Sequence, residues 1–283
     1  MQIGRILGIC QQSSSQDQVL RRTRTLLLLT YLRVCVCVCL YGVQLTFLLG
    51  ADHIVLYDYN TSPATHKLVQ HYAARCRDQR RCLVSVLDWR LPDMVAKGIW
   101  YNAQSLAIHD CLYRQMASSR YVVFSDIDEF LVPHRQHLTN WSQLARRLEL
   151  PRNIGFKFLS AFFAPSSKPP VNGGSVGGPQ KPDLMTMRST KRTLHFSTIR
   201  TKCMVQPYDV FEAGIHHISK PIWAHLTVEN IDSDTAMIHH YRVCADMYGM
   251  NCAGVVDDTA ILRYSDNLTT SVVDVWKDLV NVL

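Results

Sequence analysis

Residues 121–133, YVVFSDIDEFLVP, place Asp126, Asp128 and Glu129 within four positions between two apolar runs. An ionised carboxylate buried without a partner costs roughly several kcal/mol, and clustering adds repulsion. Such a group is stable only against a cation or at solvent. In extended chain a spacing of two puts Asp126 and Asp128 on one face. Hard divalent cations such as Mg2+ and Mn2+ take oxygen ligands, commonly one or two carboxylates together with substrate phosphates. A strand followed by D-x-D therefore reads as a place to hold a metal against a diphosphate. One rival chemistry shares the pattern, the aspartate-nucleophile phosphohydrolases, in which Asp126 would attack. Those enzymes expect Thr or Val two positions past the second Asp and lie near the start of their domain. Here that position is Phe130, and two strand–helix units come first.

The elements that would position the carboxylates alternate. HIVLYD (53–58), CLVSVLDW (82–89) and YVVFS (121–125) are β-rich runs. Between them lie a helix opened by Ser62 and Pro63 and a helical stripe over 97–118 with Ile99, Ala103, Leu106, Ala107 and Cys111. Strand–helix alternation predicts an α/β fold with a mostly parallel central sheet, and ligands of such sheets bind beyond the carboxyl ends of the strands. Thr139 is the expected cap of a helix over NWSQLARRLEL. After Leu150 the pattern becomes strand-rich and loop-rich, with IGFKFLS, LMTMRS and TAMIHHYRV as strands. Residues 165–182 hold five Pro and four Gly, which predicts a flexible loop.

The formal net charge of +7 is unevenly placed. Five arginines against Asp17 give residues 1–49 a charge of +4, leaving +3 for the body. No basic stripe interleaved with aromatics runs through that body, which excludes nucleic acid as the expected partner. RRTR at 21–24 precedes TLLLLTYLRVCVCVCLYGVQLTFLLG, an apolar stretch interrupted by Arg33 and Gln44. Basic residues ahead of an apolar run predict a type II signal anchor. The expected organisation is a cytoplasmic tail at 1–20, a basic flank and membrane anchor at 21–40, and a single domain at 41–283; a first strand or helix of that domain is the competing reading of 21–40. Six body cysteines and sequons at Asn60, Asn140 and Asn267 agree with an oxidising, luminal compartment, with Cys76–Cys82 and Cys244–Cys252 as the local disulfide pairings.

LLGADHIVLYDYN, YNAQSLAIHDCLYR, YVVFSDIDEFLVP, GIHH and HHYR occur here in the order found in glycosyltransferase family 92, once called domain of unknown function 23. The chain resembles that family over about residues 45–245. The resemblance implies a GT-A-like nucleotide-sugar-binding fold and a metal-dependent, inverting galactosyltransferase of the Golgi or ER membrane. It would use UDP-galactose as donor, Mn2+ as cofactor and a galactose- or fucose-bearing glycan as acceptor. By the same resemblance Asp128 would bind Mn2+, with Asp126 on the ribose or in the metal shell. Asp58 would face the uracil ring, and Asp110 with Arg114 would support the sugar-nucleotide site. His240 of IHHYR would be a further metal ligand, ahead of His216 and His217 in GIHH. Lys202 and Arg242 could neutralise the diphosphate, and Glu212 is the expected general base for the acceptor hydroxyl. Two stretches depart from the family pattern. RVCVCVC stands where a first strand and a proline-containing loop are expected, and AFFAPSSKPP replaces an aromatic run before a glycine. A catalytically inactive, sugar- or partner-binding relative is the reading from another class.

Overall fold

The computed structural model describes residues 23–31, 36–59, 61–78, 83–99, 103–165, 184–245, 248 and 250–280. The expected tail at 1–20, the Cys76–Cys82 pairing and the loop from 166 onward lie outside what can be described. Four strands run in parallel through one half of the sheet: β1 Thr23–Tyr31, β2 His53–Tyr59, β3 Val84–Asp88 and β4 Ser119–Asp126, in the spatial order β3-β2-β1-β4. Helices α1 Val36–Leu49, α2 Pro63–Asp78, the short α3 Asp93–Gly98 and α4 Gln104–Gln115 connect them. The sheet continues through β8 Ser197–Val205, β6 Asn153–Phe162, β12 Ala236–His240 and β5 Glu129–Pro133, where antiparallel and parallel pairs mix. The strand β11 Thr227–Ile231 adds to β6 in parallel. This is a mixed α/β architecture, mostly parallel in its first half as the alternation predicts.

Both faces of the sheet are covered, and side-chain alternation shows it. Ile54 and Leu56 of β2, with Tyr121 and Val123 of β4, enter one core with α1, α5 Trp141–Leu148 and α7 Ser265–Val280. Val55 and Tyr57, with Val122 and Phe124, enter a second core with Ala107, Ile108, Cys111 and Leu112 of α4. Strands buried on both sides carry nearly continuous apolar runs, which is why YVVFS holds no internal polar signal before Ser125. The second core is closed by a hairpin of β9 Val210–Ala213 and β10 Ile218–Pro221. The remaining pieces are α6 Met185–Arg188 and the small pair β7 Lys191–Thr193 and β13 Val255–Asp257.

The N-terminal expectation changes. Thr23–Tyr31 is not part of a membrane helix but the strand between β2 and β4, and the domain's sheet therefore begins upstream of residue 41. The apolar stretch holds two described elements, β1 and α1. A helix that is apolar on every side is a core helix, and α1 buries Cys39, Leu40, Tyr41, Val43, Leu45 and Leu49. Its 14 residues fall short of the ~20 that a bilayer requires. Among the described residues no helix is long and apolar enough to cross a membrane. The strand that the family pattern requires ahead of LLGADH is present, supplied by TRTLLLLTY.

Smaller differences have local causes. The stripe expected over 97–118 is broken: α3 ends at Gly98, and Ala103, at φ 62°, turns the chain before α4 begins at Gln104. Asn140, not Thr139, caps α5, its side chain accepting from Gln143 N at 3.0 Å, while Thr139 N donates to the Gln143 side chain. MTMR forms a single helical turn where a strand is expected. Where β6 meets β8 there is no room for a side chain at Gly155, since a Cβ there would lie 2.7 Å from Met204 O and 2.8 Å from Ile218 Cδ1. Gly155→Ala is expected to cost about 1–3 kcal/mol by overpacking, read as a lowered denaturation midpoint. An unchanged midpoint would show that β8 and the hairpin can move aside.

Candidate active site

β4 ends at Asp126 and β5 starts at Glu129, so the D-x-D-E turn stands at the carboxyl edge of the parallel strands. Asp126 is level with Leu29 of β1, and Asp58 with Thr30, so the first two acidic positions lie along one edge of the sheet. The opposing strand is β12, whose antiparallel register sets His240 across from Glu129 and His239 across from Phe130. Alternation along β12 then sends the two histidines to opposite faces.

On the Asp128 face, His240 Nε2 lies 3.6 Å from Asp128 Oδ2 and Nδ1 lies 3.3 Å from Glu129 Oε1. The second contact is off the line that a hydrogen bond needs, and the buried Nδ1 has no hydrogen-bond partner. Burial works against an imidazolium here, but the charges of Glu129 and then Asp128 outweigh it and raise the His240 pKa. Phe162 stacks on the ring at 4.8 Å. Behind the turn, Lys202 Nζ of β8 is 2.7 Å from Glu129 Oε2 and 3.3 Å from Asp126 Oδ2. Burial would lower its pKa, yet the Asp126 and Glu129 charges prevail and hold it above the ordinary lysine range. Gln104, at the start of α4, donates to Asp126 Oδ1 at 3.2 Å.

Three carboxylates therefore face one ammonium and one imidazole, leaving the cluster negative. Asp128 carries the excess at its open side, about a third exposed, beside a nitrogen ligand. A carboxylate oxygen and an imidazole nitrogen this close suit a divalent cation of the Mn2+ class, which completes its shell with water or phosphate. Asp126 has both oxygens engaged by Gln104 and Lys202, so Asp128 and His240 are the groups best placed to bind. A second set of candidate ligands lies on the other face of β12: His134, His239 and Asp258. Its imidazoles already bond to each other at 2.8 Å, and Arg192 Nε donates to Asp258 at 3.0 Å. Burial pushes the pKa of both rings down, so the set is a neutral histidine pair beside a satisfied ion pair.

The remaining sequence candidates separate. Lys202 is corrected: only 2 % of its side chain is exposed and two carboxylates hold it, so it is a counter-ion of the turn and not a contact for diphosphate. Arg242 stays exposed and lies over Tyr248, which Arg200 flanks as well at 5.1 Å. Arg200 escaped the sequence reading because TIRTKC offers no motif around it. Tyr248 sits in the loop closed by the Cys244–Cys252 disulfide, as expected from spacing, and stacks on Phe162 at 5.0 Å. Cys111 and Cys203 are free and buried, with burial raising both thiols to about 12.

Glu212 lies on the hairpin. It is exposed on β9 opposite Lys220, and the hairpin strand carrying it meets Tyr113 near the far end of α4, whose hydroxyl donates to Phe211 O. Asp58 is buried and accepts from Thr61 Oγ1 and faces His66 Nδ1, both at 2.8 Å, which ties the end of β2 to α2. Asp110 Oδ2 accepts from Arg114 Nε at 2.7 Å and Tyr57 OH at 2.5 Å. Burial alone would raise the Asp110 pKa, but those two bonds and the Arg114 charge lower it. His216 has its nitrogens turned to Thr201 O and Arg200, and burial followed by Lys202 drives it down to about 4, so it is a neutral structural imidazole. His217 is exposed and contacts Ser219.

A β-1,4-galactosyltransferase of Caenorhabditis elegans, galt-1, is 27 % identical over 202 residues, covering 71 % of this chain. The chain spans 43 % of that relative's length. Among solved structures, TarS of S. aureus matches 80 % of this chain and 38 % of its own at 12 % identity, with a TM-score of 0.38, too low to bear on the fold. The profile of glycosyltransferase family 92 matches residues 40–272, which takes in every strand of the sheet except β1, and by that match the chain belongs to glycosyltransferase family 92.

Proposed function

We propose that the protein is a metal-dependent, inverting glycosyltransferase that moves galactose from UDP-galactose to a galactose- or fucose-bearing glycan. The observation that carries this reading is the Asp128–His240 pair at the carboxyl edge of the sheet, open on one side and negative in sum. Galactose as the sugar is supported by the name of the C. elegans relative; inversion and the acceptor rest on the family resemblance. Asp128 and His240 would hold the cation, and when bound it would supply positive charge to the departing nucleoside diphosphate. Lys202 and Gln104 keep the Asp126 carboxylate fixed beneath the site. Arg200 and Arg242, gathered on Tyr248, offer positive charge to an anionic ligand at the rim. A luminal setting in the Golgi or ER is part of the proposal, supported by the Cys244–Cys252 disulfide and the exposed sequon at Asn267.

Incubation of the full chain with radiolabelled UDP-galactose, Mn2+ and glycans ending in galactose or fucose tests the reading. Transfer that stops on chelation, with a β-linked product by NMR, is the expected result. Transfer unaffected by chelation would remove the metal from the reading. Absence of transfer from a folded protein that still binds UDP would leave the inactive, binding relative as the better description.

A further inference from the structure

We propose that His216 of GIHH is the positioning residue for Arg200, and that the guanidinium it holds binds the diphosphate of the donor. The inference rests on the nucleotide-sugar reading above and gives a task to a motif that the metal site leaves unused. β9 ends at Ala213 and β10 begins at Ile218, so His216 stands in the turn between them. Gly214 N closes that turn by donating to His217 O at 2.8 Å, and a Cβ at Gly214 would lie 2.7 Å from His217 Cε1. Two bonds dock the turn on β8: Thr201 Oγ1 donates to His216 O, and His216 Nδ1 donates to Thr201 O at 3.0 Å. A guanidinium only donates, so Nε2 of the ring accepts from Arg200 NH1, at 3.3 Å. Both nitrogens are engaged, which leaves no lone pair for a metal.

The guanidinium held in this way lacks a counter-charge. Among the described residues no carboxylate pairs with Arg200, and its buried Nε has no hydrogen-bond partner. Its second support is the ring of Tyr248, 5.1 Å away in the loop that the Cys244–Cys252 disulfide closes. Ser197 Oγ ties that loop to β8, donating to Tyr248 O at 3.3 Å and accepting from Arg200 N at 3.0 Å. Tyr248 stacks on Phe162, and Phe162 on His240, so a continuous run of rings joins the guanidinium to the metal side of the site. Two residues along β8 lies Lys202, 3.3 Å from Asp126. Burial and then the Lys202 charge lower the His216 pKa while the Asp126 charge opposes them, so the ring is within electrostatic reach of the carboxylate turn. Lys202 is spent on Glu129 and Asp126, whereas Arg200 is not. An arginine fixed in place without a carboxylate suits a phosphate, which its planar fork binds through two parallel bonds.

Binding of UDP by calorimetry and of uridine by ligand-observed NMR, on the full chain with Mn2+ present, tests this. Arg200→Ala should weaken UDP about 10- to 100-fold and leave uridine unchanged. His216→Phe keeps a ring without an acceptor and should weaken UDP about 3- to 10-fold. His216→Gln, whose amide can donate to Thr201 O and accept from Arg200, should restore UDP affinity. In the Arg200→Ala background, His216→Phe should have no further effect. Thermal melts check the fold, and Arg200→Gln makes the same comparison if Arg200→Ala does not melt cooperatively. UDP affinity unchanged by loss of the guanidinium, or an equal loss for UDP and uridine, would overturn the proposal while leaving the nucleotide reading standing. A His216→Phe effect that persists without Arg200, or that His216→Gln does not relieve, would overturn the positioning role. Failure of the natural chain to bind UDP at all would overturn both readings.

Discussion

Asp128→Ala is expected to remove Mn2+-dependent UDP binding while leaving the fold intact, and His240→Ala to do nearly the same. Both side chains meet at 3.6 Å on the open side of the turn. A third of Asp128 reaches solvent and His240 Nε2 lies 3.6 Å from it, longer than a strong hydrogen bond, so its loss costs little in folding. Outer-sphere partners of a metal are typically worth 10- to 100-fold in affinity, so deletion of a direct ligand should exceed about 100-fold. Calorimetric titration of UDP with and without Mn2+ measures it, with thermal melts confirming the fold. The pH dependence has a definite sign. Glu129 and Asp128 raise the His240 pKa against the opposing effect of burial. In the metal-free protein the imidazolium's contacts therefore add stability that is complete below the ordinary value of 6.5 and disappears as pH rises through the raised one. Binding runs the other way, because a protonated His240 cannot ligate. Mn2+ affinity should climb as pH rises through that value and then level. UDP binding by Asp128→Ala at natural strength would place the nucleotide elsewhere, and the carboxylate turn would be a surface feature.

The candidate site was legible in the sequence where chemistry and fold coincide. D-x-D at the end of an apolar run reads as a strand edge, and alternation along IHHYR separates His239 from His240 on sequence alone. Lys202 was legible as a cation but not as a buried one: KCMV gives no sign that β8 lies directly behind the turn, a long-range pairing that only the sheet order supplies. Glu129 was hidden for the same reason, since its partners come from β8 and β12. For Glu212, nothing in FEAGIHH shows that β9 carries it on a hairpin whose Phe211 O meets Tyr113 of α4. The N-terminus misled through composition. A central parallel strand and an all-round buried helix are each apolar throughout, and placed in tandem they imitate a membrane span.

Lys202→Met carries the largest expected loss of stability, about 3–5 kcal/mol. The ammonium is enclosed, with Glu129 and Asp126 as its partners at 2.7 and 3.3 Å. Its removal leaves Glu129 buried with a charge that only Asp126 N and the imidazole of His240 face. Asp126 suffers less, being partly exposed and still bonded to Gln104. For a chain of this size each kcal/mol moves the melting point by roughly 2–4 °C, so a fall of about 10 °C is expected. Because the Lys202 pKa is raised, its contribution is complete below the ordinary value of 10.5 and is lost only as pH rises through the elevated one. Lysine titration should therefore not narrow the gap between variant and natural protein anywhere below pH 10.5. Combining Lys202→Met with Glu129→Gln removes both charges of the strongest contact, and the double variant should be more stable than the sum of the single losses predicts. Strict additivity would mean that the two groups do not sense each other, and the turn would then be held by its backbone alone.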